Sequence, residues 1–160
     1  MAQIPTPEPM VYTSKPLHLP TDPVELEYTR ADLEFHGLDH SEWSFEGELF
    51  INNPKADAKT AKSLDNGYVG SFHVFGHGGC YGNEGHCEIP AQRRAFDRRR
   101  PHHLTPIVKT VIVTNGLKKL LPKGGDFTVT VVGIVRGGTE DCDPKSRFLQ
   151  FEKIRLVTHR

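Results

Sequence analysis

Proline and glycine interrupt this chain so often that no long helix can form in it. The 160 residues include 12 prolines and 15 glycines. Between them, apolar and polar residues alternate over 24–28, 33–35 and 43–51 (WSFEGELFI) with the period of two that is typical of half-buried strands. The clearest strand is predicted over 126–136 (DFTVTVVGIVR), which is rich in β-branched residues, and a closing strand over 148–157 (FLQFEKIRLV). Such a pattern predicts about seven to nine short strands in an all-β fold, an antiparallel β-sandwich or jelly-roll.

The first 23 residues carry six prolines, each of which removes a backbone donor and favours extended geometry in the residue before it. We therefore expect a proline-rich extended arm or linker over 1–23 and a single β-sandwich domain over 24–160, a size that suits one domain. Strands are thus expected at 24–28 and 33–35, a bulge or bend at Gly47, and a polar loop over 52–66. A short helical segment is expected after Thr114.

The balance of positive and negative charges argues against nucleic acid as a binding partner. Lys plus Arg and Asp plus Glu number 20 each, and the isoelectric point is about 7.1, whereas a nucleic-acid-binding domain normally carries a basic excess. No apolar run approaches the roughly 20 residues of a membrane span. The N-terminus shows no signal-peptide pattern, so the sequence predicts a cytoplasmic protein with neither nucleic acid nor membrane as partner.

The segment 76–87 (GHGGCYGNEGHC) concentrates the residues that bind soft metals. Two thiolates and several imidazoles can complete a tetrahedral zinc site or hold Cu(I). The candidate metal ligands are His73, His77, Cys80, His86 and Cys87. The C-x6-C spacing equally allows a Cys80–Cys87 disulfide or a pair of reduced structural thiols, and these alternatives stay open. Cys142 is the unpaired third cysteine.

A metalloenzyme is the alternative that the histidines raise. His36 and His40 show the same H-x-x-x-H spacing as His73 and His77, but such pairs share a face only on a helix, and strands are predicted here. No phosphate-binding loop or nucleophile elbow is present. The basic run 93–100 (RRAFDRRR) is expected to be a solvated or partner-facing loop. The residues alone therefore do not predict an enzyme.

Five segments, taken in order, resemble the C-terminal β-domain that follows the catalytic domain in tyrosinases and polyphenol oxidases of the type 3 copper class. They are EPMVYTSKPLHLP, WSFEGELFINNP, GYVGSFHVFGHGGCYGNEGHC, RRPHHLTPIVKTVIVT and FLQFEKIRLVTH, and they extend over roughly residues 9 to 159. In that family, catalysis belongs to histidines on a helical bundle that hold two copper ions. This sequence predicts no such bundle, so the oxidase activity does not carry over.

The resemblance implies a non-catalytic accessory or regulatory domain that shields or assists the copper site of a phenol oxidase, in cis or in trans. A shielding domain needs a side chain that takes the place of a phenol, and Tyr81 is the candidate for that plug. The alternatives are a small copper- or zinc-binding protein that uses the Cys80–Cys87 segment, and a metalloenzyme with a histidine site on a jelly-roll.

Overall fold

Two antiparallel sheets packed face to face make up most of the structure. The structure is a computed structural model that describes residues 6–78, 95–96, 104–137 and 143–160. In chain order, its elements are β1 (Met10–Thr13), β2 (Leu17–Leu19), β3 (Arg30–Leu38), β4 (Phe45–Ile51), a 3-10 turn (Leu64–Asn66), β5 (Tyr68–Val74), β6 (Ile107–Ile112), α1 (Thr114–Leu120), β7 (Gly125–Phe127), β8 (Val129–Ile134) and β9 (Lys153–His159). The predicted all-β antiparallel sandwich is confirmed.

The sheets combine strands that are far apart in sequence. One sheet has the order β1-β8-β4-β5, and the other has the order β6-β3-β9. A two-stranded ribbon joins β2 to β7. Strands β1 and β2 therefore lie inside the proline-rich segment that was predicted to be extended, and they pair with β8 and β7. The division into an arm and a domain stays a prediction.

Aromatic side chains fill the space between the sheets. The rings of Phe35 on β3 and Phe72 on β5 lie 4.7 Å apart, and Phe45 on β4 lies 5.1 Å from Phe148. Gly47 faces this core, where an added Cβ would lie only 2.5 Å from the ring of Phe72. Glycine is thus needed at this position to admit an aromatic ring between the sheets.

Several local predictions were wrong. The expected bulge at Gly47 is absent, and the register of β4 against β5 instead shifts between Leu49 and Phe50. The expected strand at 24–28 is a turn, because the carboxylate of Asp22 accepts a hydrogen bond from the Val24 amide at 2.8 Å. This local bond competes with strand pairing.

The polar segment 52–66 lies over the outer face of the four-stranded sheet. There Phe50, Ala56 and Val132 form a small second core that is buried from solvent. Asn52 starts the segment at a φ of 51° and exchanges two hydrogen bonds with the backbone of Thr128, at 2.9 and 3.0 Å. An asparagine tolerates this left-handed conformation, which explains why the segment begins with an asparagine.

Candidate functional site

A cluster of four charged side chains lies beneath the segment 52–66. Glu46 and Glu48 alternate on β4, so both carboxylates point to the outer face of the sheet. Lys62 Nζ lies 2.9 Å from one Glu46 oxygen and 2.8 Å from Glu48. Arg136 Nε donates to the other Glu46 oxygen at 2.9 Å, and its Nη2 lies 3.4 Å from Glu48. Each buried carboxylate therefore has two cationic partners.

The cluster perturbs the protonation of Glu46. Burial raises the pKa of its carboxyl, but the hydrogen bonds from Lys62 and Arg136 outweigh this effect and lower the pKa to about 2. The same contacts raise the pKa of Lys62, whose hydrogen bond with Glu48 is the largest cause. The pKa of the Arg136 guanidinium is raised as well, first by its hydrogen bond with Glu46, so Glu46, Lys62 and Arg136 are held in their charged forms. This is the arrangement of a structural ion-pair network.

We expect Glu46 to make stability depend on acid pH. Because the pKa is lowered in the folded state, its contribution is complete above the ordinary value of 4.5 and is lost as the pH falls towards 2. Discounted for half-exposed partners, the contribution is roughly 2 kcal/mol. Denaturant unfolding of the wild type and Glu46→Gln should differ by that amount at pH 6 and converge near pH 2. The exposed Glu27→Gln control should track the wild type throughout, and a pH-independent difference for Glu46→Gln would contradict this assignment.

A shallow pocket of about 170 Å³ opens beside this cluster. Its lining includes Phe45 and Val74 at the apolar side and Glu46, His73 and Arg136 at the polar side. The His73 side chain is largely exposed, and its Nε2 lies 4.0 Å from Glu46. His73 is therefore placed next to a carboxylate that is already shared by two cations.

A pair of histidines lies just beyond the C-terminal end of β5, where His77 follows Val74 by three residues. The ring planes of His40 and His77 are inclined by 83°, and the ring centroids lie 4.7 Å apart. His77 Nδ1 lies 3.1 Å from the His40 carbonyl, and His40 Nε2 lies 2.8 Å from the Thr105 carbonyl. His40 thus joins the residues that precede position 79 to those that follow position 103, on both sides of a stretch of which only 95–96 are described.

The structure brings together only part of the predicted site. His36 is on the other sheet, where its Nε2 contacts Glu34 at 2.7 Å. Within the described ranges, no group of three or more His, Cys, Asp and Glu side chains is arranged to hold a metal ion. The convergence of His36, His40, His73 and His77 on one ion is therefore wrong. Cys80, Tyr81, His86, Cys87 and Cys142 lie outside the described residues, so their predicted roles stay predictions.

The glutamate cluster was missed by sequence reasoning, although a signal for it exists. Two acidic residues at alternate positions within the mostly apolar run 43–51 place two carboxylates on one face of a strand. A buried carboxylate requires a cation, and Lys62 is near in sequence. Arg136 is 90 residues from Glu46, and only the pairing of β4 with β8 brings it to the cluster.

Comparison with known proteins gives a structural match without a sequence match. No protein-family model matches the chain, and no curated protein matches its sequence. The fold is similar to that of a latent aurone synthase, a polyphenol oxidase obtained from its natural source, with a TM-score of 0.50 and 16% identity. The match covers 99% of this chain and 26% of that chain. This chain thus has the fold of about a quarter of a polyphenol oxidase. In the part of the chain that the structure describes, no helix is long and apolar enough to cross a membrane.

Proposed function

We propose that this chain is a non-catalytic accessory domain of the tyrosinase type, which shields or assists the copper site of a phenol oxidase. The observation that carries the proposal is the extent of the structural match. Nearly all of this chain corresponds to about a quarter of a polyphenol oxidase, which leaves most of the oxidase without a counterpart here. The described residues offer no three-histidine group for a copper ion, so the proposal assigns the copper site to the partner.

The base of the segment that carries Tyr81 is held firmly, which a shielding role requires. The Gly76 amide donates to Ser44 Oγ at 3.0 Å, and the amides of His77 and Gly78 donate to the carbonyls of His40 and Glu42 at 3.0 and 3.1 Å. At Gly76, an added Cβ would lie 2.1 Å from the Glu42 carbonyl oxygen, so the two backbones touch. Tyr81 follows only three residues after this fixed base.

An exposed aromatic ring lies next to the same base. Phe75 is 81% exposed although it directly follows a strand whose last residue, Val74, is buried. Its ring contacts only the edge of His77 among the aromatic neighbours that the structure describes, at 6.3 Å. Exposed aromatic side chains of this kind commonly anchor protein–protein interfaces. We therefore place the oxidase-facing surface at this end of the sandwich.

Inhibition of an oxidase in trans tests the proposal. The purified full chain is added to the copper-loaded catalytic domain of a tyrosinase-type oxidase, and the oxidation rate of an o-diphenol is followed as the chain is titrated. We expect the rate to fall in a saturable manner, because a docked domain blocks access to the copper site. Tyr81→Ala should bind but no longer inhibit, while Phe75→Ala should weaken binding.

The control is Tyr12→Ala, which removes another exposed aromatic ring, on β1, where it packs against Phe151. This variant should inhibit like the wild type. A rate and a copper content of the oxidase that stay unchanged at every concentration of the chain would contradict the accessory role. Inhibition that survives Tyr81→Ala would contradict the plug alone.

A further inference from the structure

We propose that His40 and His77 form a binding site for a divalent transition-metal ion that prefers imidazole, such as Zn²⁺, Ni²⁺ or Cu²⁺. The site uses only residues that the structure describes, and it does not depend on the proposed accessory function. It also differs from the predicted ligand sets, because His36 and His73 take no part and no thiolate is required.

The distance between the two rings suits one shared ion. With metal–nitrogen bonds of about 2.0–2.1 Å, two imidazoles on one ion hold their centroids about 4.5 Å apart at a right angle and about 5 Å apart at the tetrahedral angle. The observed separation of 4.7 Å lies between these values, and the ring planes are inclined by 83°. The ring separation thus matches that of two imidazoles that share one ion.

Hydrogen bonds fix the tautomer of both histidines. A carbonyl oxygen can only accept, so His77 Nδ1 must donate to the His40 carbonyl and His40 Nε2 must donate to the Thr105 carbonyl. In the neutral rings, the lone pair then lies on His77 Nε2 and on His40 Nδ1. Metal-binding histidines almost always donate their second ring N–H to a carbonyl or carboxylate in this way. Both members of the pair have this outer partner.

The site is accessible and has room for further ligands. Both histidines are half-buried, and a pocket of about 220 Å³ opens beside His40, lined also by Asp39, Ser41 and Thr105. Two imidazoles leave at least two positions of a tetrahedral ion for water or an added ligand. An arrangement of this kind binds an ion reversibly, unlike a closed structural site with four protein ligands.

Titration of the metal-free full chain with Ni²⁺ tests the site, because Ni²⁺ binds imidazole well and stands high in the affinity order of divalent ions. We expect one equivalent to bind in calorimetry. His40→Gln and His77→Gln should each weaken binding by at least about tenfold, since even the loss of an outer partner usually has this effect. His73→Gln is the matched control, because His73 is a histidine on β5, only four residues before His77. This variant should bind Ni²⁺ like the wild type.

Two further measurements keep the proposal open to contradiction. A variant with Cys80, Cys87 and Cys142 all changed to serine should retain binding, whereas loss of binding there would assign the ion to the thiolates and overturn the histidine site. Diethyl pyrocarbonate modification of the unmutated protein, read by peptide mass, should be slowed at His40 and His77 by Ni²⁺. Absent binding, or protection of other histidines only, would also overturn the proposal.

Discussion

Trp43→Ala should lower the free energy of unfolding by about 3–5 kcal/mol, the usual loss for removing a fully buried aromatic side chain. Trp43 is the sole tryptophan and is only 1% exposed. Its Nε1–H donates to the Asp143 carbonyl at 3.0 Å, so the indole also holds the backbone of Asp143 against this end of the sandwich. Its own carbonyl group touches Gly76. The truncation should therefore loosen the end of the sandwich to which we assign the partner-facing surface.

Urea unfolding followed by circular dichroism measures this loss, because Trp43→Ala removes the sole tryptophan and tryptophan fluorescence cannot report its unfolding. Trp43→Phe separates packing from the hydrogen bond: it retains most of the ring but no donor, and it should cost only about 1–2 kcal/mol. Phe75→Ala, which removes an exposed ring nearby, should change stability by less than about 0.5 kcal/mol. A loss for Trp43→Ala as small as that of Phe75→Ala would show that the ring does not hold this end of the fold.

The alternation of apolar residues was sufficient to predict the fold class but not the residues at which each strand begins and ends. The strand at 43–51 and the short helix after Thr114 are local patterns, and both are present. The pattern over 126–136 predicted one strand where the chain forms β7 and β8, separated at Thr128 by its bonds to Asn52. Asn52, which bonds Thr128 at this break, lies 76 residues away in sequence, so no local pattern predicts the break.

The site was harder to predict because it depends on which strands become neighbours. The H-x-x-x-H spacing singled out His36 with His40 and His73 with His77, yet the contact that forms joins His40 to His77. This contact arises because the backbone of 76–78 runs alongside that of 40–44. Glycine at position 76, where a Cβ would meet the Glu42 carbonyl, was a sign of that close approach.

Lys62→Met should destabilise the protein by about 3 kcal/mol, because it leaves a buried carboxylate without its closest cation. Glu48 is 2% exposed, and among the residues that the structure describes its cationic partners are Lys62 at 2.8 Å and, more weakly, Arg136 at 3.4 Å. Methionine retains the aliphatic stem, so the loss reports the charge and not the packing. Hydrogen exchange should rise over 52–66, since Lys62 ties this segment to the sheet. Lys55→Met, in the same segment but exposed, should change stability by less than about 0.5 kcal/mol.

The double variant Glu48→Met/Lys62→Met distinguishes a buried ion pair from two unrelated side chains. Replacing both charges by apolar residues removes the unpaired carboxylate, and such replacements are often neutral or stabilising. We therefore expect the double variant to regain most of the stability lost in Lys62→Met, within about 1 kcal/mol of the wild type. Glu46 would keep its bond from Arg136, so the network would shrink without leaving an unpaired buried charge. Losses that simply add in the double variant would contradict the coupling and would assign the effect of Lys62→Met to the contact of its ammonium group with the Tyr68 ring.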